Sequence, residues 1–222
     1  MAPILDPTKS VIILSHPRSG STWIQDSLPQ FNLSELFTMY CGIKSVDINT
    51  GIRYNYSNVA NTDLDYRFKL FDEFMQHHKA ISVKTHLHLL TEEICEFFAK
   101  RDLQYILLER KNKRDTFWSL LIALNTFELH NTINKKNINI SISSIDDAIY
   151  IMKECDRKIV SISEMFNPTK IYYEDMIHLP KSEWYNPSNK YVIQDAKNVV
   201  TIDNLNEVMD YLHKISAPTE YI

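Results

Sequence analysis

Short apolar runs, separated by longer stretches of helical period, set the frame of this chain. Val11-Ile12-Ile13-Leu14 opens a strand over 11–15, and Ala80-Ile81-Ser82-Val83-Lys84 a second over 80–84. Gln104 to Leu108 and residues 169–173 complete the set. Each run is short and rich in Ile, Val, Leu or Tyr, the composition of strands covered on both faces. Helical patterns lie between them at 21–29, 91–101, 113–126 and 144–165, and 203–215 reads as a closing amphipathic helix. Thr91 stands where an N-cap belongs, with Glu92 and Glu93 in the first turn behind it. Strand and helix in alternation predict an α/β fold, a single domain over 1–222. Its parallel sheet is flanked by helices on both faces and takes ligands at the strands' C-terminal ends.

Three stretches break the rhythm. Residues 40–70 are polar, rich in Asn and Tyr and poorly periodic, too long for an ordinary connection and therefore read as a substrate-side insertion. Asn131 to Ser144 and Pro180 to Pro187 read as surface loops. Segments 40–75 and 127–143 are accordingly the variable parts expected to choose a substrate. There is no internal repeat.

The candidate chemistry starts where the first strand ends. Ser15-His16-Pro17-Arg18-Ser19-Gly20-Ser21-Thr22-Trp23 carries one of only 3 glycines in 222 residues and runs into the helix at Ile24. A strand, a glycine turn, hydroxyl side chains and a helix together place backbone N–H groups around one spot suited to an anion. Arg18 adds a planar donor fork that fits phosphate or sulfate oxygens. The nucleoside-triphosphatase loop G-x-x-x-x-G-K-[ST] does not fit, because the first glycine and the Lys are both missing.

A second group follows the strand at 104–108. Arg110 stands at its end, Ser119 nine residues later on the next helix, and Lys111, Lys113 and Arg114 between them. A guanidinium and a hydroxyl suit a phosphate monoester. Cations clustered at a helix start oppose the helix dipole unless an anion is bound there.

Taken together these segments resemble sulfotransferases that use 3′-phosphoadenosine 5′-phosphosulfate (PAPS). Pro17-Arg18-Ser19-Gly20-Ser21-Thr22-Trp23 is similar at every position to their 5′-phosphosulfate loop, in the Arg form of tyrosylprotein and bacterial carbohydrate members. Arg110 and Ser119 have the spacing of the 3′-phosphate motif. Asp115 falls one residue late and the family's Pro is missing, so the turn is expected to differ in detail. Lys170 to Met176, with Tyr173-Glu174-Asp175, is similar to the family's late strand end. The likeness covers roughly residues 10 to 180. It implies a P-loop-type sheet and in-line transfer of a sulfuryl group from PAPS to a hydroxyl acceptor, a sugar, a small-molecule alcohol or a peptide tyrosine. Arg18, Ser21 and Thr22 would hold the 5′-phosphate, and Arg110 and Ser119 the 3′-phosphate.

Two residues compete for the general base. Glu35 lies seventeen residues after Arg18, about where Arg-type members carry a catalytic Glu. His86, in Val83-Lys84-Thr85-His86-Leu87, resembles the Lys-Thr-His-Leu of cytosolic members, whose His is the base. The balance favours Glu35, with Lys84 and His86 lining the transfer site. The rival readings are a P-loop nucleotide kinase or phosphotransferase, which needs a Walker-type Lys and a magnesium-holding Asp, and a non-catalytic nucleotide-binding module.

Composition narrows the setting. A net charge of −4, with 23% charged and 44% apolar residues, points to no nucleic-acid or membrane partner. Cys41, Cys95 and Cys155 are widely spaced and odd in number, which favours reduced, mostly buried thiols and a cytoplasmic protein. No apolar stretch reaches bilayer length. His77, His78, His86 and His88 lack a Cys or carboxylate at ligand spacing, so no metal is expected.

Overall fold

Val11 to Ser15 form β1, buried at all five positions, because a neighbour lies on either edge and a helical layer on either face. The computed structural model describes residues 5–34, 36–37, 43–46, 53–56, 64–126, 136–176 and 200–222. In chain order β1 is followed by α1 (Ser21–Ser27), β2 (Phe31–Ser34), β3 (Ile43–Val46), β4 (Arg53–Tyr56) and α2 (Leu64–His77). Next come β5 (Ile81–His86), α3 (Glu92–Ala99), β6 (Gln104–Glu109) and α4 (Lys113–Thr126). The last elements are β7 (Lys136–Ile138), α5 (Ile142–Phe166), β8 (Thr169–Tyr172), α6 (Tyr173–Met176), β9 (Val200–Ile202) and α7 (Leu205–Lys214).

The main sheet has the order β4-β3-β2-β5-β1-β6-β8. Strands β2, β5, β1, β6 and β8 are mutually parallel, and β3 and β4 extend the edge as antiparallel strands. Ser15 stands level with His86 on one side and Leu108 on the other. The three strand ends that carry the sequence motifs are therefore neighbours, at the point where the chain's route across the sheet reverses.

Period-two alternation divides the strands between two cores. Val11, Ile13, Ile106 and Leu108 pack with Ile24 of α1, with Leu28 just after it and with Met176. Ile12, Leu14, Val83 and Leu107 pack on the other face with Phe71 of α2, Phe98 of α3 and Ile162 of α5. A third cluster joins Phe117 and Leu121 of α4, Ile145 and Met152 of α5, Val208 and Leu212 of α7, and Tyr221 near the C-terminus. A parallel sheet with helices on both faces is thus as expected.

Other expectations need correction. Part of the segment read as an insertion is structural, since α2 buries Leu70, Phe71 and Phe74 in the core. The polar residues of that helix had masked its period. Strand β2 went unseen because Phe31-Asn32-Leu33-Ser34 is only four residues long. The stretch read as a surface loop over 131–144 contains β7, which pairs in parallel with β9, and the first turn of α5, capped by Ser141. Thr91 does cap α3, its hydroxyl accepting from the Ile94 N–H at 3.2 Å.

Candidate functional site

The loop leaving β1 is shaped by two residues with positive φ, Arg18 at 62° and Gly20 at 88°. The left-handed region costs a residue with a Cβ about 1–2 kcal/mol, and the turn is held against that cost by burial and hydrogen bonding. Ser19 is fully buried, and its hydroxyl donates to the carbonyl of His16 at 2.7 Å. Gly20 is required for space as well as for φ: a Cβ there would stand 2.4 Å from two ring carbons of Tyr173. Trp23 meets the same ring edge-on, centroids 6.2 Å apart. Helix α1 has only seven residues, and the chain turns extended at Leu28, before Pro29. Its dipole is short, so side-chain cations carry most of the loop's positive potential.

Those cations converge from three strand ends. Arg18 Nε donates to Ser119 Oγ on α4 at 3.1 Å. This bond joins the loop after β1 to the helix after β6. Burial, and then the nearby charge of Arg110, hold the Arg18 guanidinium below its ordinary pKa. The Arg110 guanidinium lies over the ring of Tyr173, 4.6 Å from its centroid, a cation–π contact. Its Nε is buried with no hydrogen-bond partner among the described residues. From β5, the buried Lys84 donates its Nζ to Thr22 Oγ1 at 2.6 Å. Two neighbouring guanidiniums, one with an orphaned donor, are stabilised by an oxyanion placed between them.

Two further cations of the basic cluster, Lys111 and Lys113, are paired within the chain. Lys111 pairs with Asp175, and Lys113 Nζ donates to Asp156 Oδ2 at 2.8 Å. The Glu174 carboxylate accepts from the N–H groups of Lys111 and Asn112, at 3.0 and 3.5 Å, just ahead of α4. For Lys111 and Lys113 the counter-charge expected from an external anion comes instead from Asp175 and Asp156. The Tyr173-Glu174-Asp175 segment supplies Asp175 to Lys111 and Glu174 to the N–H groups ahead of α4, and α5 supplies Asp156 to Lys113.

His86 ends β5 with Nδ1 3.3 Å from the hydroxyl of Ser15, and its ring stacks on His88 at 5.9 Å. His88 is held near pKa 4, first by burial and then by the charge of Lys158. Lys84 and His86 are two positions apart on one strand and so share a face. Glu35 lies outside the described residues; β2 ends at Ser34 immediately before it. Pro17 lies in the loop and Ser21 and Thr22 open α1, Pro17 and Ser21 buried and Thr22 partly so. Trp118 belongs to the core, as do Cys95 and Cys155, both free thiols.

Two acids in this region escaped the sequence. Asp156, midway along α5, accepts from His16 Nε2 at 3.0 Å, Lys113 Nζ at 2.8 Å and the Tyr221 hydroxyl at 3.0 Å. Burial pushes its carboxyl up, but the His16 and Lys113 hydrogen bonds outweigh that and hold it near 2. Asp26, one turn after Thr22 on α1, accepts from Asn32 Nδ2 at 2.7 Å. Burial raises it to about 6 against the opposing charge of Lys84. Neither acid lies in a motif, and only the fold brings them to the site.

No family model and no curated protein sequence matches this chain. Among the described residues no group of three or more His, Cys, Asp or Glu could hold a metal ion. No described helix is long and apolar enough to cross a membrane.

Proposed function

We propose that this protein is a PAPS-dependent sulfotransferase with a P-loop-type nucleotide site, transferring a sulfuryl group to a hydroxyl acceptor. The observation that carries the reading is the Arg18–Ser119 hydrogen bond at 3.1 Å. It unites two motifs, 101 residues apart, that the resemblance assigns to the two phosphates of one nucleotide. The donor set fits such a nucleotide. Arg110 has a buried, unpartnered Nε, and Arg18, Ser119, Thr22 and Lys84 bring further donors from the adjacent strand ends.

PAPS, when bound, supplies an activated sulfuryl group on a 5′-phosphate that becomes the leaving group. Arg18, with Ser21, Thr22 and the loop N–H groups, holds the 5′-phosphate end and balances the charge that grows there. Arg110 and Ser119 hold the 3′-phosphate and so fix the orientation of the nucleotide. Lys84, bonded to Thr22, places an ammonium beside the 5′ loop. Glu35, directly after β2, removes the acceptor's proton, and His86 lines the same edge of the sheet beside Ser15.

Calorimetric titration with 3′-phosphoadenosine 5′-phosphate tests this, with ADP and with ATP plus Mg²⁺ as controls. Metal-independent binding of the bisphosphate, stronger than either control, supports the reading. Absence of binding, or preference for ATP with Mg²⁺, overturns it in favour of a phosphotransferase.

A further inference from the structure

Parallel strands β1 and β6 are in register as far as Ser15 and Leu108. Beyond that point the two chain segments diverge, one into the loop with Arg18 and the other into the turn with Arg110. Hydrogen-bonded side chains bridge them in two places. Arg18–Ser119 uses groups that the proposed reading assigns to the nucleotide, so a bound nucleotide would compete with it. The other runs through Asp156. One carboxylate oxygen takes His16 Nε2 at 3.0 Å, and the other takes Lys113 Nζ at 2.8 Å. His16 directly precedes Pro17 and accepts the Ser19 hydroxyl on its carbonyl. Lys113 is the first residue of α4, three after Arg110. Tyr221 closes the carboxylate from a third side at 3.0 Å, its ring stacked on Phe117 of α4 at 5.6 Å between centroids.

We propose that Asp156 is a positioning residue that fixes the distance between the two phosphate-binding loops, and thereby makes the site select a nucleotide phosphorylated at both 3′ and 5′. The proposal rests on the sulfotransferase reading of those loops. An ionised carboxylate only accepts, so it needs a donor from each loop and holds both at hydrogen-bond length. A ligand that spans both loops gains from this preorganisation. A ligand with one phosphate needs only one loop and gains little.

The test is the ratio of two dissociation constants, for adenosine 5′-phosphate and for 3′-phosphoadenosine 5′-phosphate, measured by calorimetry on the full chain. In the unaltered protein the bisphosphate should bind at least about tenfold tighter, from the added charged contacts. Asp156→Asn should bring that ratio down by about fivefold or more while circular dichroism shows a folded chain. A general loss of structure would weaken both nucleotides together and leave the ratio unchanged, and that result overturns the proposal. Lys113→Met, which removes only the α4 arm, decides the matter if Asp156→Asn does not fold: a reduced ratio supports the proposal and an unchanged one overturns it. Failure of the unaltered protein to bind either nucleotide would instead sink the sulfotransferase reading, and the proposal with it.

Discussion

The ring of Tyr173 closes against Gly20 so tightly that a single methyl group at that glycine would lie 2.4 Å from two of its carbons. Tyr173 also carries the Arg110 guanidinium on its face. One aromatic ring therefore connects the glycine of the first loop to the arginine of the second. Gly20→Ala combines a left-handed φ of 88° with this overlap, and should cost roughly 2–4 kcal/mol of stability. Thermal unfolding of Gly20→Ala, Tyr173→Ala and the double variant would show it. The double variant should lose less than the sum of the two, because removing the ring removes the overlap. Strict additivity would mean that the two positions do not meet in solution.

Arg110 should dominate affinity for a bisphosphate nucleotide. Arg110→Ala removes a charged donor set and should weaken 3′-phosphoadenosine 5′-phosphate by about 1.5–3 kcal/mol, roughly ten- to a hundredfold. Arg110→Lys keeps the charge but loses the planar fork and recovers only part of that. Titration of the two variants beside Lys111→Ala separates a ligand-facing cation from one already paired. Lys111 contacts Asp175, so its loss should change affinity little.

The base is resolved by turnover rather than by binding. Glu35→Ala and His86→Ala should both leave affinity for 3′-phosphoadenosine 5′-phosphate intact. With an identified acceptor, Glu35→Ala should lower kcat by a factor of about 10² or more, the usual contribution of a positioned base. His86→Ala should cost less. The reverse order would make His86 the base, and near-full activity of both variants would remove each from the chemistry.

What the sequence disclosed follows from where its signals are local. β1 and β6 announced themselves as runs of Ile, Val and Leu because both faces are covered along most of their length. β5 and β8 showed only short apolar cores, Ile81 to Val83 and Ile171 to Tyr172, among polar residues. The turn between β1 and α1 was legible because its residues are contiguous, from Pro17 to Trp23. Asp156 was not, since a mid-helix acid on α5 looks like a solvated one until the fold brings His16, Lys113 and Tyr221 around it. The charge of Lys111 misled for the same reason, its counter-ion Asp175 lying 64 residues away. Helix α2 hid behind its own surface: Asp65, Tyr66, Lys69 and Glu73 are exposed between the residues that enter the core.

Asp156 should make the fold sensitive to acid. Its folded-state pKa, near 2, lies below the ordinary 3.8. The stability it contributes is present above pH 4 and is lost as the pH falls toward 2. Asp156→Asn should therefore be less stable than the unaltered chain at neutral pH by about 2 kcal/mol. The difference should shrink steadily between pH 4 and pH 2. Urea unfolding at several pH values measures it, and a gap that stayed constant through that window would remove Asp156 as the cause.

Asp26 predicts the opposite dependence. Burial lifts its folded-state pKa from 3.8 to about 6, with Lys84 opposing. A group raised on folding contributes stability that is full below its unfolded value and is lost as the pH rises through its folded one. The fold thus carries a penalty above pH 6 that it does not carry at pH 4. Asp26→Asn keeps an oxygen to accept from Asn32 but cannot ionise. It should be more stable than the unaltered chain by about 2 kcal/mol at pH 7.5, and the gap should close at pH 4. Urea unfolding at those two pH values decides it. The same substitution removes a carboxylate near Lys84, whose Nζ lies 2.6 Å from Thr22 Oγ1. Affinity for 3′-phosphoadenosine 5′-phosphate at neutral pH should rise modestly, because the ammonium's field is then less offset by a neighbouring negative charge. Stabilisation at both pH values alike would show that the gain came from packing and not from the proton.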